Sequence, residues 1–229
     1  MVTTRIVLVR HAEAEGNAQR LFQGHSDAAI SEKGKKQLAL LALRCRNMKR
    51  DVIYTSPLKR AKETAEAINQ FHPVPMYFED GLKEICGGVW ENRPWRELFE
   101  QDLTEAYYWN QEPWAFTPKG GEPMTHLYDR IYETICKIAW ENKGKTVFVV
   151  SHGCAIRNLL CRLKYDDIHR LNDIAWCDNT AITYLDFDES FQPTLIMEND
   201  ASHLDQETST LANQVWWRPE NRGKNQFAE

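Results

Sequence analysis

The sequence predicts an α/β protein: a three-layer sandwich with a mostly parallel central sheet between helices, plus a small helical cap insertion. Three observations carry this. Short β-branched and aromatic runs alternate with amphipathic helical stretches, the pattern of βαβ units. Two of the runs, Ile6-Val7-Leu8-Val9 and Val147-Phe148-Val149-Val150, are apolar at every position, as expected of strands covered on both faces. One segment, from Asn92 to Pro118, breaks the alternation with an aromatic and acidic composition.

Taken in order, Ile6–Val9 is the first strand. Leu38, Leu41, Cys45 and Met48 then fall on one face of a helix. Asp51-Val52-Ile53-Tyr54 reads as a strand, and Leu58, Ala61, Ala65 and Ile68 as the buried stripe of the helix after it. Ser56-Pro57 fits an N-cap followed by the favoured first helical residue. Met76-Tyr77-Phe78 is a short strand candidate, and the insertion has helical character around Trp95 to Trp109. Met124, Leu127, Tyr128, Ile131, Ile135 and Ile138 mark a long helix, Val147–Val150 the next strand, and Ile156, Leu159, Leu160 and Leu163 a further helix. Ile182–Leu185 and Thr194–Met197 complete the strands. Residues 1–204 are read as one domain with a cap at about 92–118, and residues 205–229 as a polar tail, laid over the surface or partly disordered.

Composition excludes several classes. With 42% hydrophobic and 27% charged residues the chain is globular and not disordered. No run approaches about 20 apolar residues, so no membrane span is expected. A net charge of −5 without a long basic run argues against nucleic acid. The N-terminus lacks a secretion signal, and the six cysteines form no C-x-x-C pair, which fits reduced thiols in a cytoplasmic protein. No metal-ligand cluster is visible. Ala139 to Thr146 matches a relaxed Walker A pattern, but it closes a helix and opens a strand, the reverse of a phosphate-binding loop. Nothing in the sequence sets an oligomeric state.

The chemistry gathers at three strand ends. The first strand runs into Arg10-His11, the second into Ser56-Pro57-Leu58-Lys59-Arg60, and the Val147–Val150 strand into Ser151-His152-Gly153. In open α/β sheets ligands sit beyond the carboxyl ends of the strands, so these turns deliver two guanidiniums, two imidazoles and helix N-termini to one cleft. That set suits a compact dianion such as phosphate.

These residues resemble the histidine phosphatase superfamily, the phosphoglycerate-mutase-like proteins, in its bacterial broad-specificity phosphatase branch. Arg10-His11-Ala12-Glu13-Ala14-Glu15-Gly16-Asn17 matches the opening R-H-G-x-T-x-x-N motif except at two positions. Gln23-Gly24, Asp27 and Ile30 to Gly34 fit the second block, and Ser56 to Ala65 the S-x-L-x-R-A-x-x-T-A helix. Leu82-Lys83-Glu84-Ile85 with Gly88 and Trp90-Glu91 fits the block bearing the acid, and Ser151-His152-Gly153 the last. Asn199 to Leu204 resembles the end of that phosphatase branch, so the likeness spans about residues 5–204.

The resemblance implies a histidine acid phosphatase-type enzyme hydrolysing a small-molecule phosphate ester through phosphohistidine. His11 would be the nucleophile, Arg10, Arg60 and His152 the oxygen clamp, and Glu84 the acid and later the base. Asn17, Gln23, the backbone at Gly24, and Gly153 would bind the substrate. No metal or cofactor is implied, unless the protein is a mutase, which would use 2,3-bisphosphoglycerate. Four departures stand out: Ala12 replaces the motif glycine, so a positive φ there would be strained; Ala14 removes a hydroxyl; Gly87 stands where the branch often has phenylalanine; and Asn92 where it often has glycine.

A cofactor-dependent phosphoglycerate mutase or a sugar bisphosphatase is the alternative activity, and a non-catalytic phosphoester-binding protein the alternative class. The insertion carries two arginines against five carboxylates, a net charge of −3, and lacks the longer basic insert typical of the mutases. That favours a monoester with a neutral or apolar leaving group. Four of the eight tryptophans, Trp90, Trp95, Trp109 and Trp114, crowd just after Glu84, while Trp140 and Trp176 read as core or rim. Two readings stay open for the four: an aromatic core holding the cap, or a leaving-group pocket lined by Trp90 or Trp109.

Overall fold

A computed structural model describes residues 4–214. Six strands form one sheet: β1 (Thr4–Arg10), β2 (Val52–Thr55), β3 (Met76–Phe78), β4 (Thr146–Ser151), β5 (Ile182–Phe187) and β6 (Pro193–Asp200), in the order β3-β2-β4-β1-β5-β6. The first four run parallel; β5 joins β1 antiparallel, and β6 in turn joins β5 antiparallel, at one side. The two fully apolar runs are the central pair, β4 and β1, with Arg10 opposite Ser151 at their carboxyl ends.

Strand alternation builds the three layers. Ile6, Leu8, Val147 and Val149 point to one face, against α6 (Met124–Glu141) and α7 (Gly153–Tyr165), where Leu127, Ile131, Ile135, Leu159 and Leu160 are buried. Val7, Val9, Phe148 and Val150 point to the other, against Leu41 and Cys45 of α2 (Glu32–Cys45) and Ala61, Ala65 and Ile68 of α3 (Lys59–Ile68). All six cysteines are free. Among the described residues no helix is long and apolar enough to cross a membrane.

The structure departs from the sequence reading in four places. Helix α3 begins at Lys59, and Ser56 is not its N-cap. The Ser56 hydroxyl bonds His152 and accepts from Leu58 N (3.3 Å), ahead of the helix, while Asp27 Oδ1 accepts from Lys59 N (2.6 Å) across 32 residues, so the first turn is capped from a distant loop. The stretch from Trp95 to Trp109 is two helices, α4 (Trp95–Gln101) and α5 (Leu103–Gln111), because Asp102 leaves helical geometry at φ −126°, ψ 66°. There it accepts from Trp90 Nε1 (2.8 Å) and caps α5 at Glu105 N. A short helix, α1 (Glu15–Ala18), carries no amphipathic signal and is held by Asn17 Oδ1 accepting from Ala14 N (3.1 Å). Trp140 is neither core nor rim: it is exposed, with Lys143 Nζ over its ring.

Residues 205–214 are bound to the body of the domain. Asp178 accepts from Ser209 Oγ, Thr210 N and Leu211 N, and Gln37 Nε2 donates to the Thr208 carbonyl (2.7 Å). Trp216, Trp217 and Phe227 lie outside the described residues.

Candidate active site

His11, directly beyond β1, is buried, and its two ring nitrogens have distinct partners. Nδ1 lies 2.7 Å from the Ala12 carbonyl, which can only accept, so Nδ1 carries the hydrogen. Arg60 Nε, which can only donate, reaches Nε2 at 3.3 Å. The ring is therefore a neutral imidazole with its lone pair on Nε2. Burial, reinforced by the Arg60 and Arg10 charges, pushes its pKa well below the ordinary histidine value and keeps that lone pair available.

Arg60 is 1% exposed and fixed by the carbonyls of Ser26 (2.8 Å) and Gly24 (2.7 Å). Burial lowers it to about 10, which leaves it a cation at neutral pH. Arg10 donates from Nη1 to the Cys177 carbonyl (2.6 Å), and its buried Nε has no partner among the described residues. A Cβ on Gly153 would come within 3.1 Å of that Nε, so glycine lets the guanidinium lie against the start of α7. His152 is fully buried, its ring 5.0 Å from that of His11. Its Nε2 is hydrogen-bonded to Ser56 Oγ (2.8 Å) while Nδ1 has no partner among the described residues, and burial with the Arg60 charge lowers its pKa well below the ordinary value.

Glu84 faces the same space from the loop before residues 88–90. Its carboxyl accepts from Ile85 N and Ala155 N through Oε1 and from Cys154 N through Oε2, all at 3.0 Å, at the N-terminus of α7. Burial raises its pKa, against the pull of those three N–H groups. Gln23 lies on the cavity wall with both amide ends buried and without a partner among the described residues, in space that a Cβ on Gly16 would fill. Such orphaned groups in a cavity await a ligand.

The cavity runs from Arg10, His11, Asn17, Gln23, Glu84 and Gly153 to an aromatic end formed by Phe22, Trp95, Phe99, Trp109 and Trp176. Phe22 is the hub of that end, with ring centroids 5.1 Å from Trp95, 5.5 Å from Trp109 and 5.6 Å from Trp90. Among the described residues no group of three or more metal-ligating side chains is placed to hold an ion.

The family model of the histidine phosphatase superfamily, branch 1, matches residues 6–200. Phosphoserine phosphatase 1 of Hydrogenobacter thermophilus is 32% identical over 200 residues, which cover 87% of this chain and 94% of that one. The chain belongs to the histidine phosphatase superfamily. A second relative, named probable phosphoglycerate mutase GpmB, of Salmonella paratyphi C, is 31% identical over 215 residues, 88% of this chain and 95% of that one. Among solved structures, Bacillus stearothermophilus YhfR superposes with a TM-score of 0.84 at 29% identity, covering 88% of this chain and all of the other.

The geometry sorts the residues that the superfamily motifs single out. Arg10, His11, Asn17, Gln23, Glu84 and Gly153 line the cavity, while Arg60 and His152 stand behind His11. Gly24 does not offer a free N–H: it donates to Glu91 Oε2 (3.2 Å), and its carbonyl holds Arg60. Trp90 is wholly buried and off the wall, because its ring packs on Phe116 (4.9 Å) and its Nε1 bonds Asp102. Trp109 does line the cavity, and so do Trp95 and Trp176.

Departures from the superfamily motif cost little here. Ala12 is not at positive φ, and its N–H donates to Thr64 Oγ1 (3.0 Å), so no strain arises. At Ala14, which lacks the motif hydroxyl, the backbone N–H is held by Asn17 Oδ1 (3.1 Å). Gly87 leaves its space to Phe22, 2.3 Å from where a Cβ would sit, and Asn92 adopts φ 59°, a left-handed conformation that asparagine tolerates.

Sequence reasoning missed residues 177–180. Asn179 Nδ2 holds the His11 carbonyl (2.8 Å), Cys177 holds Arg10, and Asp178 anchors residues 209–211. The available signal was a run of polar residues at a strand entrance, which marks any turn as readily as a site.

Proposed function

We propose that this enzyme is a phosphohistidine-forming phosphatase of the histidine acid phosphatase type, acting on small phosphate monoesters. The observation that carries the reading is the fixed tautomer of His11, with a lone pair at Nε2 beside Arg60 in a cavity that also holds Glu84.

The steps follow from that arrangement. His11 Nε2 attacks phosphorus, forming the P–N bond as the P–O bond to the leaving group breaks. Glu84, its pKa raised by burial, gives its proton to the departing oxygen. The incoming phosphate binds against Arg10 on the cavity wall, and the charges of Arg10 and of Arg60 behind His11 stabilise the transferring group. Water then attacks the phosphohistidine while Glu84 takes the proton, releasing phosphate and restoring His11. Charge compensation by the two guanidiniums supports turnover without metal, and the acidic insertion supports turnover without 2,3-bisphosphoglycerate. The aromatic far end supports a neutral or apolar leaving group, and the free thiols support a reducing, cytoplasmic setting.

Purified protein in chelator should release phosphate from 4-nitrophenyl phosphate and leave an acid-labile phosphoryl label on the chain. His11→Ala should lose turnover by about 10⁴-fold or more, together with the label. Undiminished turnover in that variant would overturn the mechanism. Interconversion of 2- and 3-phosphoglycerate dependent on 2,3-bisphosphoglycerate would instead make it a mutase.

A further inference from the structure

Outside the cavity wall, a second cluster grips the backbone of the loop that carries Glu84. Arg130, on α6, donates from Nη1 to the carbonyls of Gly81 (2.8 Å) and Lys83 (3.1 Å), and from Nη2 to that of Glu84 (3.4 Å). Glu122 accepts from its Nε (2.8 Å) and Nη2 (2.7 Å). These five bonds engage all five N–H groups of the guanidinium. Glu122 is also tied to the loop, accepting from Cys86 N (3.4 Å) and donating its own N–H to the Cys86 carbonyl (2.8 Å). His25 Nε2 lies 2.9 Å from the Glu84 carbonyl and donates to it. Arg130 and Glu122 do not line the active-site cavity.

We propose that Arg130, locked by Glu122, is a positioning residue that sets the reach of the Glu84 carboxyl toward the leaving oxygen. Three carbonyls between 81 and 84 converge on one rigid planar fork, so this stretch of loop has little freedom to slide along α7. A lysine offers three donors from a single atom and cannot span the same carbonyls while meeting Glu122 edge-on. Proton transfer falls steeply with misplacement: an error of about 1 Å costs on the order of 10²-fold. The inference rests on the reading of Glu84 as the acid.

Positioning of an acid has a signature that simple structural support lacks. A nitrophenolate departs without a proton, whereas an alkoxide needs one, so damage to proton delivery grows with the basicity of the leaving oxygen. The experiment compares kcat/KM, which covers steps only as far as the phosphohistidine and so leaves out the hydrolysis common to both esters, for 4-nitrophenyl phosphate and a simple alkyl phosphate in wild type, Glu84→Gln, Arg130→Met, Arg130→Lys and Glu122→Gln. Arg130→Met should lose about 10- to 100-fold in kcat/KM on the alkyl ester while kcat/KM for 4-nitrophenyl phosphate stays within about twofold. Arg130→Lys should recover part of the loss, and Glu122→Gln should show the same ester dependence at smaller size. In a Glu84→Gln background Arg130→Met should add little further loss, because both act through one proton.

Equal loss on both esters in Arg130→Met and Glu122→Gln would overturn the proposal. If Arg130→Met does not fold, Glu122→Gln, which keeps the side-chain shape, decides alone. Should Glu84→Gln itself lose equally on both esters, the assignment of Glu84 as acid fails, a result distinct from failure of the clamp.

Discussion

The two ends of the cavity are built on opposite principles. At the phosphate end the ionisable side chains have directional partners: Arg60 on two carbonyls, His11 on the Ala12 carbonyl, Glu84 on three N–H groups. At the far end, Phe22, Trp95 and Trp109 meet as rings, with centroids 5.1–5.5 Å apart and no fixed partner geometry. The first arrangement suits a group of one shape and charge, the second a variable one. Charge transfer demands fixed distances, whereas apolar recognition demands only buried area. The acidic cap charge, net −3, belongs to the variable end and so bears on what leaves, not on what is transferred.

This contrast can be broken at either end. The largest effect is expected at Glu84. Glu84→Gln should lower kcat/KM on an alkyl phosphate by about 10²–10³-fold and hardly touch kcat/KM for an aryl ester with an acidic phenol. Its pH profile gives the sign: a carboxyl whose pKa is raised by burial keeps its proton to higher pH, so acid catalysis is lost as pH rises through that value. His11, lowered by burial and two arginines, stays neutral and nucleophilic as pH falls below the ordinary histidine range. The wild-type kcat/KM profile for an alkyl ester should then rise through the His11 value and fall through that of Glu84; a descending limb unchanged in Glu84→Gln would assign it to another group.

A medium effect is expected at the aromatic end. Trp109→Ala should raise KM for a bulky aromatic ester by about 10-fold and for a compact one by less than about twofold. An equal rise for both would return Trp109 to a purely packing role. The smallest effect on chemistry should come from Asp102→Ala, which removes the α5 cap and the Trp90 Nε1 partner. It should cost about 1–2 kcal/mol of stability, a few degrees in Tm, while turnover of 4-nitrophenyl phosphate changes little. A large loss of turnover at unchanged Tm would mean that the cap tunes the phosphate end as well.

Legibility followed the same division. Arg10-His11, Arg60 and His152 could be read because each follows its strand within a few residues, and parallel strands put those ends on one edge. The aromatic end could be seen as an excess of tryptophan but not resolved into wall and core. Both rings pack on Phe116, and Trp90 and Trp109 differ by what else each meets, Asp102 for one, the open cavity for the other. The break at Asp102 escaped for a related reason: its partner Trp90 lies 12 residues upstream, outside any helical repeat. The Arg130 clamp spans 46–49 residues to its carbonyls and leaves no local periodicity.

By itself the sequence determined the sheet, the layers and the strand-end charges, because alternation and short βα turns act over a few residues and fix which face and which edge each side chain joins. Only the tertiary structure decided which nitrogen of His11 holds the lone pair, where the Glu84 carboxyl rests, and which tryptophans face the substrate. Those outcomes depend on single hydrogen bonds and ring contacts between segments far apart in the chain. Such contacts are set by how closely packed elements approach one another, a distance that no local pattern encodes.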